Sequence, residues 1–379
     1  MLHAYIIQPR FEVITAFLKL GYRVTQVLDC PPQAQEAFRS EYDSLTVSSV
    51  GNVVEIVDAI YQSYPSAGEG TAICIGLGDQ SSLVASLVNE LLGVAKTKYT
   101  SPLTLSILRN KPLLRSVLDS SLPQYSGYFR VVNSLDEVYA VFRKINRALV
   151  VKPLNGSGSR GVFRIRSETD ILNNSASMCF PALIEEYFCG DEFSIEAITI
   201  NGKHQPLAVT QKVLGGESGV VEIGQIQPAD ISEESKVQLI EAATSLLDAI
   251  KFRFGLSHTE IILSDGVPKI VESHGRVGGD RIADLLRFTT GHDAFERLAF
   301  ALSEERFLPI EPIAYSSRID FVDLLDHQGS DQEWKDKLLS EPHVYSAEIL
   351  KPVGERGPIR CSADRHAFVI SIFEGEANQ

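Results

Sequence analysis

The sequence predicts a mixed fold, α/β at its start and α+β beyond. An open parallel βαβ lobe is expected over about residues 1–100, antiparallel lobes around a cleft over 101–303, and a small strand-rich extension over 304–379. Three observations lead there. Up to about residue 95, short apolar runs alternate with amphipathic stretches, the rhythm of βαβ units. Beyond Pro123 the strand-like runs follow one another through tight turns such as Asn201-Gly202, as antiparallel hairpins do. At 379 residues the chain exceeds one small core but is short for three full domains, so two or three lobes enclosing a cleft are expected.

In order, HAYII reads as a strand, FEVITAFLKLG as a helix stopped by Gly21, YRVTQVL as a strand, Val53 to Tyr61 as a helix and TAICIGLG as a strand. Gly76 and Gly78 let the chain turn sharply there, but Gly78-Asp79-Gln80-Ser81 rejects a Gly-x-Gly-x-x-Gly dinucleotide fingerprint. In an open parallel sheet the ligand edge lies at these strand ends. Residues 104–118 read as one helix carrying Arg109, Lys111 and Arg115. ALVVKPL, PALIEEYF and FSIEAITINGKHQPLAVTQK follow as strands, the first two within a lobe of about 120–190. Helices are expected over about Glu233 to Ile250 and Ile282 to Leu302, flanking paired strands at HTEIIL and VPKIVES.

Composition excludes several classes. Hydrophobic residues make up 44% and charged ones 22%, and no uncharged apolar run is long enough to span a bilayer, so no membrane partner is expected. The N-terminus lacks the pattern of a secretory leader. Its five scattered cysteines fit reduced thiols, and a cytoplasmic location is expected. A net charge of -14 with dispersed basic residues argues against nucleic acid.

Three segments carry chemistry. In Val151 to Ile165, Lys152 sits on a strand and Gly156, Ser157, Gly158, Ser159 and Gly161 form the loop that follows, with Arg160 among them. Such small residues let backbone N–H groups close on phosphate oxygens, although a ligand-free glycine hairpin gives the same string. It is not a Walker A loop, because a strand and not a helix follows. About twenty residues on, ALIEEYF ends in Cys189-Gly190-Asp191-Glu192; a strand edge there could present backbone groups to a purine and an acid to ribose hydroxyls, or be a solvated acidic edge. The third segment, HTEIILSDGVPKIVESHGRVGGDRI, places Glu260 and Glu272 on strands joined by Ser264-Asp265-Gly266. Paired as a hairpin, the two carboxylates would lie side by side, suited to a hard cation; a surface salt-bridge cluster is the alternative.

These segments, in this order and at these separations, resemble the ATP-grasp superfamily over about residues 105–300, and within it the L-amino-acid ligases and carboxylate–amine ligases of peptide and natural-product biosynthesis. The resemblance implies that two α+β lobes sandwich ATP. Lys111 and Lys152 match its phosphate-binding lysines; Glu185, Glu186, Tyr187 and Phe188 match the adenine hinge; Glu192 matches the ribose acid. Glu260 and Glu272 match the carboxylates that hold Mg²⁺, for which Mn²⁺ can substitute, and Arg276 matches the arginine facing the transferred phosphoryl group and acyl intermediate. Where the family often has a third, asparagine ligand this chain has His274, which binds the metal, hydrogen-bonds substrate or simply fills space. Lys212 is read as ending a strand at the cleft, touching phosphate or lying exposed. His258 either orients its strand or meets substrate. Gly279 and Arg281, beside Arg276, are candidates for a substrate carboxylate, with a structural ion pair the alternative for Arg281.

The resemblance further implies an ADP-forming ligase that makes an amide bond through an acyl phosphate, with a small-molecule carboxylate and amine as partners, an amino acid as one of them, and a possible homodimer. The catalytic set would be Arg276, Lys152 and Glu272. A carboxylase or purine-pathway ligase would share the nucleotide residues, a nonenzymatic ATP-binding regulator would bind without turnover, and a kinase would release a phosphorylated product. The stretch from Leu214 to Ile231 is expected to be a mobile substrate loop.

Overall fold

A computed structural model describes residues 2–30, 42–156, 158, 160–215, 219, 221–311 and 315–374. Ser157 and Ser159 of the glycine loop, and residues 216–218 and 220 of the expected substrate loop, lie outside the described residues; the rest of that stretch corrects the expectation, since Leu214 and Gly215 end one strand and Val221–Gln227 form another, held by pairing in the sheet. The expected division between parallel and antiparallel lobes holds.

The first lobe contains β1 (His3–Ile7), α1 (Phe11–Lys19), β2 (Arg23–Leu28), β3 (Ser44–Thr46), α2 (Val53–Ser63), β4 (Ala72–Ile75) and α3 (Asp79–Leu91). Its strands run parallel in the order β3-β2-β1-β4. β1 is buried along its whole length, the pattern of a strand covered on both faces. Gly76 sits where β4 gives way to α3. A Cβ there would meet the Ser81 carbonyl at 2.0 Å, so only glycine lets the first turn of α3, which begins with Asp79, fold back onto the strand end. Because that neighbour is backbone, Gly76→Ala is expected to cost about 3 kcal/mol, seen as a lower urea midpoint for the first lobe.

Two helices, α4 (Pro102–Arg109) and α5 (Lys111–Ser121), replace the single expected helix over 104–118. Pro112 explains the break: inside a continuous helix its ring would clash with the carbonyl four residues back. Asn110 adopts extended backbone instead and its side chain accepts from Leu113 N–H at 3.0 Å, so α5 starts afresh at Lys111.

The next lobe comprises β5 (Phe129–Val132), α6 (Leu135–Ile145), β6 (Leu149–Pro153), β7 (Phe163–Ile165), α7 (Glu168–Asn174) and β8 (Ala182–Glu186), an antiparallel sheet ordered β5-β8-β6-β7 over its own core around Val138, Val151 and Ile184. The largest sheet is built from β9 (Asp191–Ile200), β10 (Lys203–Gly215), β11 (Val221–Gln227), β12 (Gly255–Ser264) and β13 (Val267–His274), with α8 (Glu233–Ala249) beneath. Asn201 and Gly202, both at positive φ, make the tight β9–β10 turn. From α8, Leu239, Leu246 and Leu247 are fully buried against Phe193, Ile261 and Ile270 of this sheet, about 1.5–3 kcal/mol each.

The expected helix over Ile282 to Leu302 is also two, α9 (Ile282–Thr290) and α10 (Ala294–Glu304). Gly291 ends the first in the left-handed region at φ +79°, and Asp293 caps the second by accepting from the N–H groups of Phe295 and Glu296. The remainder, β14 (Tyr315–Val322), α11 (Asp331–Leu339), β15 (Val344–Ile349) and β16 (Ala367–Glu374), continues the large sheet, whose order is β13-β12-β9-β10-β11-β14-β16-β15. No described helix is long and apolar enough to cross a membrane.

Candidate active site

A cleft lies between the β5–β8 sheet and the polar face of the large sheet, in two chambers that share Gly158, Arg160, Glu222, Glu260 and Glu272. The first, about 200 Å³, is walled by Val150 and Lys152 of β6, Glu185 and Glu186 of β8, Tyr187, Phe188, Ile262 and Val271. The second, about 330 Å³, is polar and includes Lys212, Gln225, His258, His274, Arg276, Gly279 and Asp280.

Strand periodicity builds the polar face. On β12 alternate residues His258, Glu260 and Ile262 line the cleft while Ile261 turns into the core. The register sets Glu260 directly opposite Glu272 on β13 and Ser194 on β9, and His258 opposite His274 and Glu196. Two carboxylates so placed repel unless compensated. Lys212 lies 2.8 Å from Glu260, and Lys111 lies 3.2 Å from Glu272 while donating to the Gly156 carbonyl at 3.0 Å. Burial pushes the Glu260 carboxyl up, but Lys212 and protonated His258 outweigh it and hold Glu260 well below the usual range. For Glu272, burial and Glu260 push upward, yet Lys111 and His274 leave it lowered.

Lys212 differs from its expectation. It falls inside β10, is buried, and reaches Glu192 at 3.0 Å as well as Glu222 and Glu260 at 2.8 Å, so it is neither exposed nor at a strand end. Burial opposes its charge, but Glu260, Glu222 and Glu192 raise its pKa well above normal. Three carboxylates share one ammonium here. Burial, aided by Glu260 and Asp280, pushes Glu222 up to about 7 against the pull of Lys212. Glu192 is raised for the same kind of reason.

His258 bonds Glu196 through Nδ1 and lies 3.1 Å from Glu260 through Nε2. Burial lowers its pKa, but Glu196 and Glu260 overcome this and bring it to about 10, so the ring is a cation at neutral pH and orients Glu260. Glu196 also accepts from Gly278 N–H at 3.0 Å, tying the loop before α9 to the sheet.

Glu260, Glu272 and His274 offer three ligand atoms within 4.8 Å of one another. His274 Nδ1 lies 2.9 Å from Asp79 Oδ1, which leaves Nε2 toward Glu272 at 3.9 Å. A carboxylate on one ring nitrogen fixes the other as the lone-pair donor, the arrangement that supports a metal-binding histidine. Two carboxylates suit Mg²⁺, and an imidazole nitrogen as third donor widens the set toward Mn²⁺.

Asp79, from the start of α3, also takes Arg276 in a two-point ion pair at 2.8 and 3.1 Å. Burial raises its pKa but His274 and Arg276 drive it far below the normal carboxylate value. The first lobe therefore supplies a residue to the site. Sequence reading missed it, although Asp79 lies where a parallel sheet ends its strands, the edge expected to carry ligands.

Glu185 is buried between Arg115, at 2.8 Å, and Lys152. Burial raises its carboxyl, but the two cations outweigh this and take it down to about 2. A depressed carboxylate stabilises the fold fully above its ordinary value, and that contribution is lost as pH falls toward about 2. Glu185→Gln is expected to cost about 3–5 kcal/mol at pH 7, because two buried cations lose their partner. The deficit in thermal stability relative to the parent chain should shrink below pH 4.5.

At the expected hinge, the N–H groups of Glu186 and Tyr187 are engaged by the carbonyls of Tyr128 and Ala148 at 2.9 and 3.0 Å, so neither is open to a purine edge. Glu186 faces Arg147 at 3.2 Å, Arg164 stacks over Tyr187 at 3.9 Å, and Lys269 lies 5.8 Å above Phe188. Gly279 lines the polar chamber, with open space where a Cβ would stand. Arg281 does not line it: the guanidinium pairs with Asp284 and lies over Phe368, the structural alternative.

Residues 134–280 match the family model described as ATP-grasp domain. The chain is 30% identical to a D-alanine–D-alanine ligase of Christiangramia forsetii over 53% of its length, and that alignment spans 64% of the relative, less than two thirds. Among solved structures it is similar to an L-amino acid ligase from Bacillus licheniformis, with 20% identity, TM-score 0.78, and 99% of this chain and 94% of that one covered. It is also similar to N5-carboxyaminoimidazole synthetase from Staphylococcus aureus complexed with ADP, with 12% identity, TM-score 0.73, and 100% and 94% covered.

Proposed function

We propose that this chain, which carries an ATP-grasp domain, is an ADP-forming carboxylate–amine ligase that uses ATP and small-molecule substrates, one of them an amino acid. The observation that carries this reading is the pairing of Glu260 with Glu272 across β12 and β13, facing Lys111 and Lys152 where the two chambers meet. A nucleotide in the first chamber would present its terminal phosphates at that junction. The reacting carboxylate would enter from the polar chamber beside Arg276.

A carboxylate is a poor electrophile, and its oxygen becomes a leaving group by attacking the γ-phosphorus of ATP, breaking the bond to ADP and giving an acyl phosphate. Lys111 and Lys152 neutralise the crowded phosphate charge, and Arg276, preoriented by Asp79, faces the acyl phosphate. Glu260, Glu272 and His274 would hold Mg²⁺ or Mn²⁺, which supplies charge neutralisation of the phosphate oxygens. The loop from Gly156 to Gly161 would exclude water from the reactive anhydride. The D-alanine and L-amino acid ligases among the similar proteins support an amino acid as substrate.

The test is phosphate release from Mg²⁺-ATP across paired amino acids and small carboxylic acids, with mass spectrometry of active mixtures. Release only with particular pairs, with a condensed product, is expected. Nucleotide binding without turnover by any pair, or a stable phosphorylated product, overturns the reading.

A further inference from the structure

One residue that lines the polar chamber carries a buried hydrogen-bond acceptor that no described residue uses. Gln225, on β11 opposite Lys212, is 1% exposed and lines the chamber. Its Nε2 donates to Glu222 Oε2 at 3.0 Å. Its Oε1 is buried and has no hydrogen-bond partner among the described residues. A buried carbonyl oxygen left unpaired is costly, and a ligand that brings an N–H group removes the cost.

We propose that Gln225 is the positioning residue for the attacking amine, taking one of its N–H groups on Oε1 so that the nitrogen lone pair points to the junction of the chambers. The proposal rests on the ligase reading and adds the nucleophile's place. As the C–N bond forms, the C–O bond to phosphate breaks, phosphate leaves with that electron pair, and the surplus proton on nitrogen goes to the departing phosphate. Gln225 accepts a hydrogen bond throughout and takes no proton. An amine that bears an N–H meets this acceptor with its lone pair free to attack.

The test compares the parent chain with Gln225→Met, close in size but without the acceptor, and Gln225→Asn, which keeps an amide drawn back by one carbon. Carboxylate-dependent positional isotope exchange in γ-labelled ATP reads acyl-phosphate formation without amine; steady-state kinetics read the amine. Expected are unchanged exchange and ADP binding in both variants, with the KM for the amine raised about tenfold or more in Gln225→Met. Unchanged amine KM in variants that still exchange overturns the role of Gln225 and leaves the ligase reading standing. Absence of exchange in the parent chain overturns both. Should Gln225→Met fail to bind ADP, Gln225→Asn alone decides by the same amine KM.

Discussion

Glu272→Ala is expected to lower kcat by about 10³-fold or more while the protein stays folded. Losing one preorganised electrostatic stabiliser of a developing oxyanion costs about 10²–10³-fold, and Glu272 is half of the carboxylate pair that would hold the divalent ion serving that role. Its removal also frees Lys111, 3.2 Å away, to pair elsewhere on the phosphate side. The fold should tolerate the change. Glu272 and Glu260 repel each other, Glu272 lines open cleft, and Lys111 keeps the Gly156 carbonyl as a partner. Thermal melting should therefore move by only a few degrees, and the concentration of Mn²⁺ for half-maximal activity should rise in Glu272→Gln if residual activity is measurable. A folded Glu272→Ala chain with parental activity would remove this residue from the chemistry.

How much of this was legible in the sequence differs from residue to residue. The Glu260–Glu272 pair was readable because everything that sets it is local: period-two alternation on both strands and a Ser264-Asp265-Gly266 turn that fixes the register. The parallel start and the β9–β10 hairpin followed from equally short signals, apolar runs and Asn201-Gly202. Both misjudged helices show a stop signal weaker than the amphipathic pattern around it. Pro112 is tolerated in a first helical turn and so did not advertise the break at Asn110, and Gly291 was overridden by apolar residues on either side. Lys212 was not readable as buried, since its partners Glu192, Glu222 and Glu260 come from three other strands, and only the closed sheet brings them to one nitrogen. Asp79 and Arg276 meet across more than half the chain; no short window of sequence contains both.

Lys212→Met should be the most destabilising substitution in the large sheet. The side chain is of similar length and would fill the same space, so the loss is electrostatic. Glu192, Glu222 and Glu260 would remain on the same buried face with no ammonium between them. Removing one partner of a buried ion pair costs about 3–5 kcal/mol, and here three acceptors lose one donor, against a total stability of about 5–15 kcal/mol for a typical domain. Most of the variant is expected to be unfolded or aggregated at pH 8. Without Lys212, the carboxyls of Glu222 and Glu192, already raised, rise further, so the folded variant binds more protons than the unfolded chain. Its stability must then increase as pH falls, over a window that opens above the parent value of about 7 and closes at the ordinary carboxylate value near 4.5. Thermal melts of Lys212→Met between pH 8 and pH 5 should climb more steeply than those of the parent chain, in which Glu222 is raised only to about 7. Adding Glu222→Gln to Lys212→Met should restore part of the stability at pH 8, since one of the three stranded charges is gone. A Lys212→Met chain as stable as the parent at pH 8 would mean that the three carboxylates are already protonated or solvated, and that the lysine is not what holds this face together.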